Sequence, residues 1–474
     1  MRKHLIIFVK LTAIAVSCVF LLSLASCAFT NDSESNDNHT ENYSTRYLKR
    51  NDTDSQKALI RTLNGFEMTL NLPFSLSDEE KNIYDKAIDK INSEFDCKIT
   101  LKSGEYDGDE LIHELSNHKT SNGVYYAKTD KLLYMIDNDY LCLLNNAAKS
   151  SGVDFSGAFY DKTLTGALNI NYNQYGWVSQ IGTHETPNCI IINKAMLIRN
   201  GMEDILPIAK NGDWDIDALE YYMKQTADKT DCQMIVSSPE GLFESICTAK
   251  GQSAVSLVTG NAPTIQLNNV FVTSAVGVLD SWFNIDKYCV SSAKSDDLEI
   301  NDFLSEKSAF YFADSAAFSK FINARKNLDN KDDFIVVQFP NQISSHSYKN
   351  VFSPEYFAFI PQNCESDSDK ILFLQNELYR ELSVNSFDLF YAYIDKSIGK
   401  SACEYLFNMK YSKALNTNTA SFTAAYEYYA SIGTNSIVMS IANGTAANDA
   451  LERYRQTVIR YYSDTVKKYK YTGK

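Results

Sequence analysis

The chain has 474 residues, 44% hydrophobic and 22% charged, which excludes a disordered or low-complexity protein and allows two or three structural units. Only 19 Gly and 8 Pro argue against a turn-dense all-β protein. A formal charge of -14, with no concentrated block of Lys or Arg, argues against a nucleic-acid partner.

The first element is an address. Met1-Arg2-Lys3-His4 is basic, and an apolar run from Leu5 to Ala25, with Lys10 its single charge, closes on Leu24-Ala25-Ser26-Cys27. This order reads as a secretory signal peptide over residues 1–27, and the run is also long enough to be an uncleaved membrane helix. The Leu-Ala-Ser-Cys ending resembles the bacterial lipoprotein box. That resemblance implies cleavage before Cys27, diacylation of its thiol, and stable attachment by two acyl chains. Cleavage would remove Arg2, Lys3 and Lys10 and take the charge from -14 to -17. Residues 28–58 are polar and nearly free of aliphatic side chains, as a solvated tether should be. The folded body then starts near Leu59 and works outside the cytoplasm.

Phe66, Met68, Leu70 and Leu72 alternate as in a strand. Ser77 followed by Glu80 is a capping-box pattern, and Tyr84, Ala87, Ile88, Ile91 and Phe95 follow at helical spacing. The segment 97-CKITL-101 alternates again, so strand, helix and strand predict a βαβ unit and a parallel sheet. A short helix from Asp109 to Leu115 precedes a strand at Val124 to Ala127. Further on, 189-CIIIN-193, 308-SAFYFA-313 and 334-FIVVQF-339 read as buried strands, and 274–288 as a helix. Beyond Pro361 the pattern is mostly helical, ending in a long helix over 448–469.

Asp213, Asp215, Asp217 and Glu220 suggest a calcium loop, but the sixth and twelfth positions from Asp213 are Ala218 and Lys224, not Gly and Glu. The alternative is a helix start with Asp217 as N-cap and Glu220 three residues on. No metal site is expected. The ten cysteines include no C-x-x-C pair, and the six histidines include no H-E-x-x-H. A G-x-S-x-G elbow and a G-x-x-x-x-G-K-[ST] loop are also missing; 251-GQSAV-255 lacks the closing Gly. No catalytic residue and no cofactor are therefore assigned.

The run 190-IIINK-194, 195-AMLIRN-200, 201-GMED-204 and 212-GDWDIDALEYY-222 resembles a hallmark of the bacterial extracellular solute-binding proteins of the sugar-binding type. These are the maltose-binding-protein-like lipoproteins of ABC importers. Segments 174–182, 303–318 and 334–341 resemble further stretches of that family in the same order, so the likeness covers most of residues 60–470. Ile192 stands where the family usually has Tyr, and Ile216 where it has a second Trp.

The resemblance implies an α/β two-lobe periplasmic-binding-protein-like fold of type II, with an interlobe cleft and a helix-rich C-terminal part. It implies an N-terminal lobe of 59–187 plus about 358–400 and a C-terminal lobe of 188–357 plus about 401–474. The crossovers would lie near Thr183 to Cys189 and Val351 to Phe359, with a third around Ser397 to Cys403.

The implied function is binding of a small solute, a saccharide, by hinge closure, without catalysis. The implied partners are ABC permease subunits and, through Cys27, the membrane. A sugar site needs aromatic platforms beside polar groups. Tyr172, Tyr175 and Trp177 are candidate platforms, Trp177 being equally readable as core. Asp314 and Ser315, or Glu355 and Tyr356, are candidate polar partners or solvated turns. Trp214 and Trp282 read as core. A repurposed surface sensor on the same scaffold and a surface hydrolase remain alternatives.

Overall fold

The computed structural model describes residues 63–104, 108–170, 172–182, 184–251, 253–256, 264–291, 296–325, 331–342, 351–352, 354–394, 397–410 and 434–468. The signal segment, Cys27 and the tether lie outside these. In chain order come β1 (Phe66–Leu72), α1 (Asp78–Phe95), β2 (Cys97–Ser103), α2 (Gly108–Ser116), β3 (Gly123–Lys128) and α3 (Leu144–Ser151). After a short hairpin (Asn169–Ile170 with Asn173–Gln174) come β4 (Cys189–Asn193), α4 (Ile216–Thr230), β5 (Met234–Val236) and α5 (Pro239–Ala249). Next are α6 (Val270–Asp280), β6 (Cys289–Ser291), β7 (Phe310–Ala313), α7 (Ser315–Arg325), β8 (Phe334–Gln338) and β9 (Tyr356–Phe359). The chain closes with α8 (Ser368–Val384), α9 (Ser386–Ile394), α10 (Lys400–Lys410), α11 (Thr434–Ala442) and α12 (Ala447–Lys468).

The strands form two main sheets. The first has the order β9-β3-β1-β2, the second β6-β5-β7-β4-β8. β1 pairs in parallel with β2 and β3, as the βαβ pattern predicts, while β9 returns antiparallel to β3. In the second sheet β4 runs antiparallel to both β7 and β8. Sequence-distant strands thus meet in each sheet, and the chain must cross from one to the other more than once.

Each sheet is covered on both faces. Met68, Leu70 and Leu72 pack on Tyr84, Ala87, Ile88, Ile91 and Phe95 of α1, and on Ile371, Leu374 and Leu378 of α8. The opposite face carries Tyr125, Ala127, Phe357 and Phe359 against Leu111 and Leu115. In the second sheet Ile190 and Ile192 face α4, α5 and α6, while Cys189 and Ile191 face α7, α9 and α10. Burying each such aliphatic side chain contributes about 1.5–3 kcal/mol.

Local chemistry sets the ends of α1 and α4. Ser77 and Glu80 form the predicted capping box: Ser77 Oγ accepts from Glu80 N at 3.3 Å and Glu80 Oε2 accepts from Ser77 N at 2.9 Å. For α4 the predicted cap is shifted. The helix begins at Ile216 with Asp215 as N-cap, its carboxylate accepting from Ala218 N at 2.9 Å, and Asp217 lies inside the first turn. Asp215 is selected because its own chain pairs with Asn341, whose carbonyl accepts Ile216 N–H at 2.8 Å. The predicted helix over 274–288 is α6 followed by a π turn, Ser281–Ile285.

Candidate functional site

The chain between the sheets builds a polar seam. The first crossover, residues 184–188, is held from both sides. Tyr356 N donates to Glu185 Oε1 at 3.0 Å, Thr186 N to Ser315 Oγ at 3.1 Å, and Asn188 N to the Val351 carbonyl at 2.7 Å. Asp314 caps α7 by accepting from Ala317 N at 3.0 Å. Glu355 pairs with Lys128 at 3.1 Å, and its carbonyl accepts Thr129 N–H at 2.9 Å. Helix α9 spans the junction, with Leu389 in the core of the first lobe and Phe390, Tyr393 and Ile394 in that of the second.

His184 is the centre of this seam. Its ring stacks between Phe74 (centroids 3.9 Å, 28°) and Tyr393 (3.9 Å, 13°). Its Nε2 lies 2.7 Å from Glu80 Oε1, the same carboxylate that closes the capping box of α1. Tyr393 Oη in turn is 2.7 Å from Ser319 Oγ on α7. Gly182 starts the crossover at φ +68, and a Cβ there would meet Tyr84 Oη at 2.4 Å, so close approach and conformation both call for glycine.

Burial shapes the titration of this region. Burial works against the charge on Glu80, but the hydrogen bond and charge of His184 and the donors of Ser77 outweigh it and hold the carboxyl below its usual range. Burial pushes Glu185 up to about 7, against the Tyr356 N–H bond and the charge of Lys410. Burial likewise brings Lys410, 3% exposed, down to about 7, with Glu185 opposing. Asp314 is raised for the same reason. An acid, a base and a histidine therefore share the junction between the lobes.

A second feature lies at the carboxyl ends of β1 and β2, where open α/β sheets take ligands. A cavity of about 280 Å³ is bounded by Asn71, Leu72, Lys102, Ser103, Gly104, Glu110, Leu111, Glu114 and Tyr125. Leu72, Leu111 and the Tyr125 ring supply apolar floor. The remaining side chains supply an amide, a hydroxyl, a cation and two carboxylates, and that mixture suits a hydroxylated guest with apolar faces.

The predicted site residues separate into four places. Asp314, Ser315, Glu355 and Tyr356 gather at the crossover around Glu185. Tyr172, 69% exposed at φ +58, tips the short hairpin, where Asn145 Nδ2 donates to its carbonyl at 2.7 Å. Tyr175 is half-buried against the α2 face of the first sheet. Trp177 corrects the expectation of a stacking platform. It is fully buried, donates its indole N–H to Tyr379 Oη at 3.0 Å and stacks on Phe155, so no solute can lie on it. Trp214 and Trp282 are fully buried, as read from the sequence. His184, Glu185, Lys410 and the cavity residues were not singled out beforehand. Position within the crossover segment was the one signal available for His184 and Glu185.

No family model matches the chain, and no curated protein matches it. Solved structures do. The sugar-binding protein MalE of Xanthomonas citri is 11% identical, with a TM-score of 0.58 over 86% of this chain and 100% of its own. The galacto-N-biose/lacto-N-biose I-binding protein of a Bifidobacterium longum ABC transporter is 12% identical, with a TM-score of 0.57 over 86% of this chain and 98% of its own. UgpB of Mycobacterium tuberculosis, solved with glycerophosphocholine, is 12% identical, with a TM-score of 0.55 over 84% of this chain and 99% of its own. The chain has the two-lobe α/β fold of these binding proteins. Among the described residues no helix is long and apolar enough to cross a membrane.

Proposed function

We propose that the protein is a lipid-anchored receptor on the extracellular face of a bacterial cell membrane, which binds a small saccharide between its lobes and presents it to an ABC importer. The observation that carries this reading is the likeness to solute-binding proteins over 84–86% of the chain at 11–12% identity. A strand-end cavity with an apolar floor and polar rim supports a hydroxylated guest. The seam at the crossovers supports hinge motion as the means of capture: a solute that binds the closed form better shifts the population toward it. The Leu-Ala-Ser-Cys ending supports the anchor at Cys27. Binding here needs no bond to be made or broken.

The test is calorimetric titration of the full-length protein with lacto-N-biose, β-1,6-galactobiose and cycloalternan, followed by mass spectrometry of the recovered sugar. Saturable heat with unchanged sugar is expected. Appearance of hydrolysis products would establish the hydrolase alternative, and no heat with any of the three would favour a repurposed scaffold.

A further inference from the structure

The strand-end cavity carries charges that the protein itself leaves unpaired. Along β2, Ile99 and Leu101 pack toward α1, so Lys98, Thr100 and Lys102 face the α2 side of the sheet. Asn71 of β1 and Tyr125 of β3 lie on that side too, since Leu70, Leu72, Val124 and Tyr126 pack on the other. Lys98 stands opposite Glu67 and pairs with it at 3.3 Å, whereas Lys102 stands opposite Asn71, which offers no charge. Above this face α2 buries Leu111 and Leu115, and its Glu110 and Glu114 border the cavity. Lys102, Ser103 and Glu110 are exposed and Glu114 is half-buried, so a solute can reach all four. Among the described residues, no hydrogen bond or ion pair engages the side chains of these four.

Glu110 and Glu114 stand one helical turn apart, with Cβ atoms about 5–6 Å from each other, and like charges at that spacing oppose the helix. A single cation between them would relieve the repulsion. With Lys102, the lining carries two formal negative charges and one positive. A neutral guest leaves one negative charge over and an anionic guest leaves two, whereas a guest with one ammonium leaves none. The net charge of -14 also favours the approach of a cation. The volume of about 280 Å³ is close to the lower bound of about 300 Å³ for small-molecule sites, and suits one sugar ring.

We propose that this cavity selects amino sugars, the guest's ammonium lying between Glu110 and Glu114 while Lys102 Nζ and Ser103 Oγ bond its ring hydroxyls. An ammonium has three donors and an ionised carboxylate only accepts, so the two make charge-assisted hydrogen bonds. An acetamide at the same carbon carries no charge and is bulkier, so the site discriminates against the N-acetyl sugar as well as the plain hexose. The proposal rests on the receptor reading above and names the class of its solute.

The test is calorimetric titration of the full-length protein at about pH 6, where an amine is protonated. Glucosamine and galactosamine are each compared with the parent hexose and with the N-acetyl derivative. At least one amine is expected to bind about tenfold or more tighter than both its counterparts, an advantage that shrinks as salt rises from about 0.1 to 1 M. In the double variant Glu110→Gln, Glu114→Gln, the affinities for amine and hexose should fall within about twofold of each other. Thermal unfolding verifies that the variant is folded; if it is not, the wild-type series and its salt dependence decide. Amine and hexose affinities within about twofold in wild type, or an advantage that survives in the folded variant, would overturn the proposal and leave the receptor reading intact. So would binding confined to neutral saccharides such as lacto-N-biose. Wild type binding no saccharide, charged or neutral, would instead sink the receptor reading, and the proposal with it.

Discussion

At the scale of single residues, burial moves the titration of groups at the junction between the lobes. Glu185 is the clearest case. Burial raises its carboxyl to about 7 from 4.5. The folded chain therefore keeps a proton on Glu185 between about 4.5 and 7 that the unfolded chain has already released. The stability it contributes is fully present below pH 4.5 and is lost as pH rises through 7. Lys410, lowered to about 7 from 10.5, contributes stability that is present above 10.5 and lost as pH falls through 7. Glu185→Gln is expected to flatten the decline of the unfolding midpoint between pH 4.5 and 7, measured by calorimetry at half-unit steps. A decline as steep as wild type would show that another group controls it. Such residues were not legible in the sequence, because Glu185 and Lys410 stand far apart in the chain and no local spacing joins them. Trp177 shows the converse. Its position in a Tyr-Gly-Trp segment fits a platform and a core equally, and only its burial and its bond to Tyr379 decide between them.

At the scale of elements, legibility was high wherever one face of a helix or strand repeats. The apolar positions read for α1 are the ones it buries, and the Ser77–Glu80 box starts it. What periodicity could not convey is that Glu80 serves twice, capping α1 and binding His184 Nε2 at 2.7 Å. Ser77→Ala removes the cap and is expected to destabilise the protein by about 1 kcal/mol. Because Ser77 also holds Glu80 in place, amide exchange should quicken in the 184–188 crossover as well as in the first turn of α1. Quickening confined to α1 would separate the cap from the crossover. The cap of α4 was misplaced by two residues for a related reason. Asp215 and Asp217 both suit an N-cap, and pairing of Asp215 with Asn341, remote in sequence, chooses between them.

At the scale of the whole molecule, two sheets with different strand orders are joined by crossovers whose hydrogen bonds reach both lobes. The order of strands and helices along the chain, together with the Asn-Lys and Gly-Asp-Trp segments, was enough to indicate the class of fold. The strand-end cavity joins residues from Asn71 to Tyr125 that lie apart in the chain, which linear order does not reveal. Capture by closure makes one demand that simple surface binding does not: both lobes must respond together. Hydrogen–deuterium exchange of the full-length protein with and without a saccharide that binds it tests this most directly. Closure predicts simultaneous protection of residues 184–188, 354–357 and the strand ends near Leu72 and Gln338, spanning the two sheets. Protection restricted to one sheet, with the crossovers exchanging as before, would contradict it.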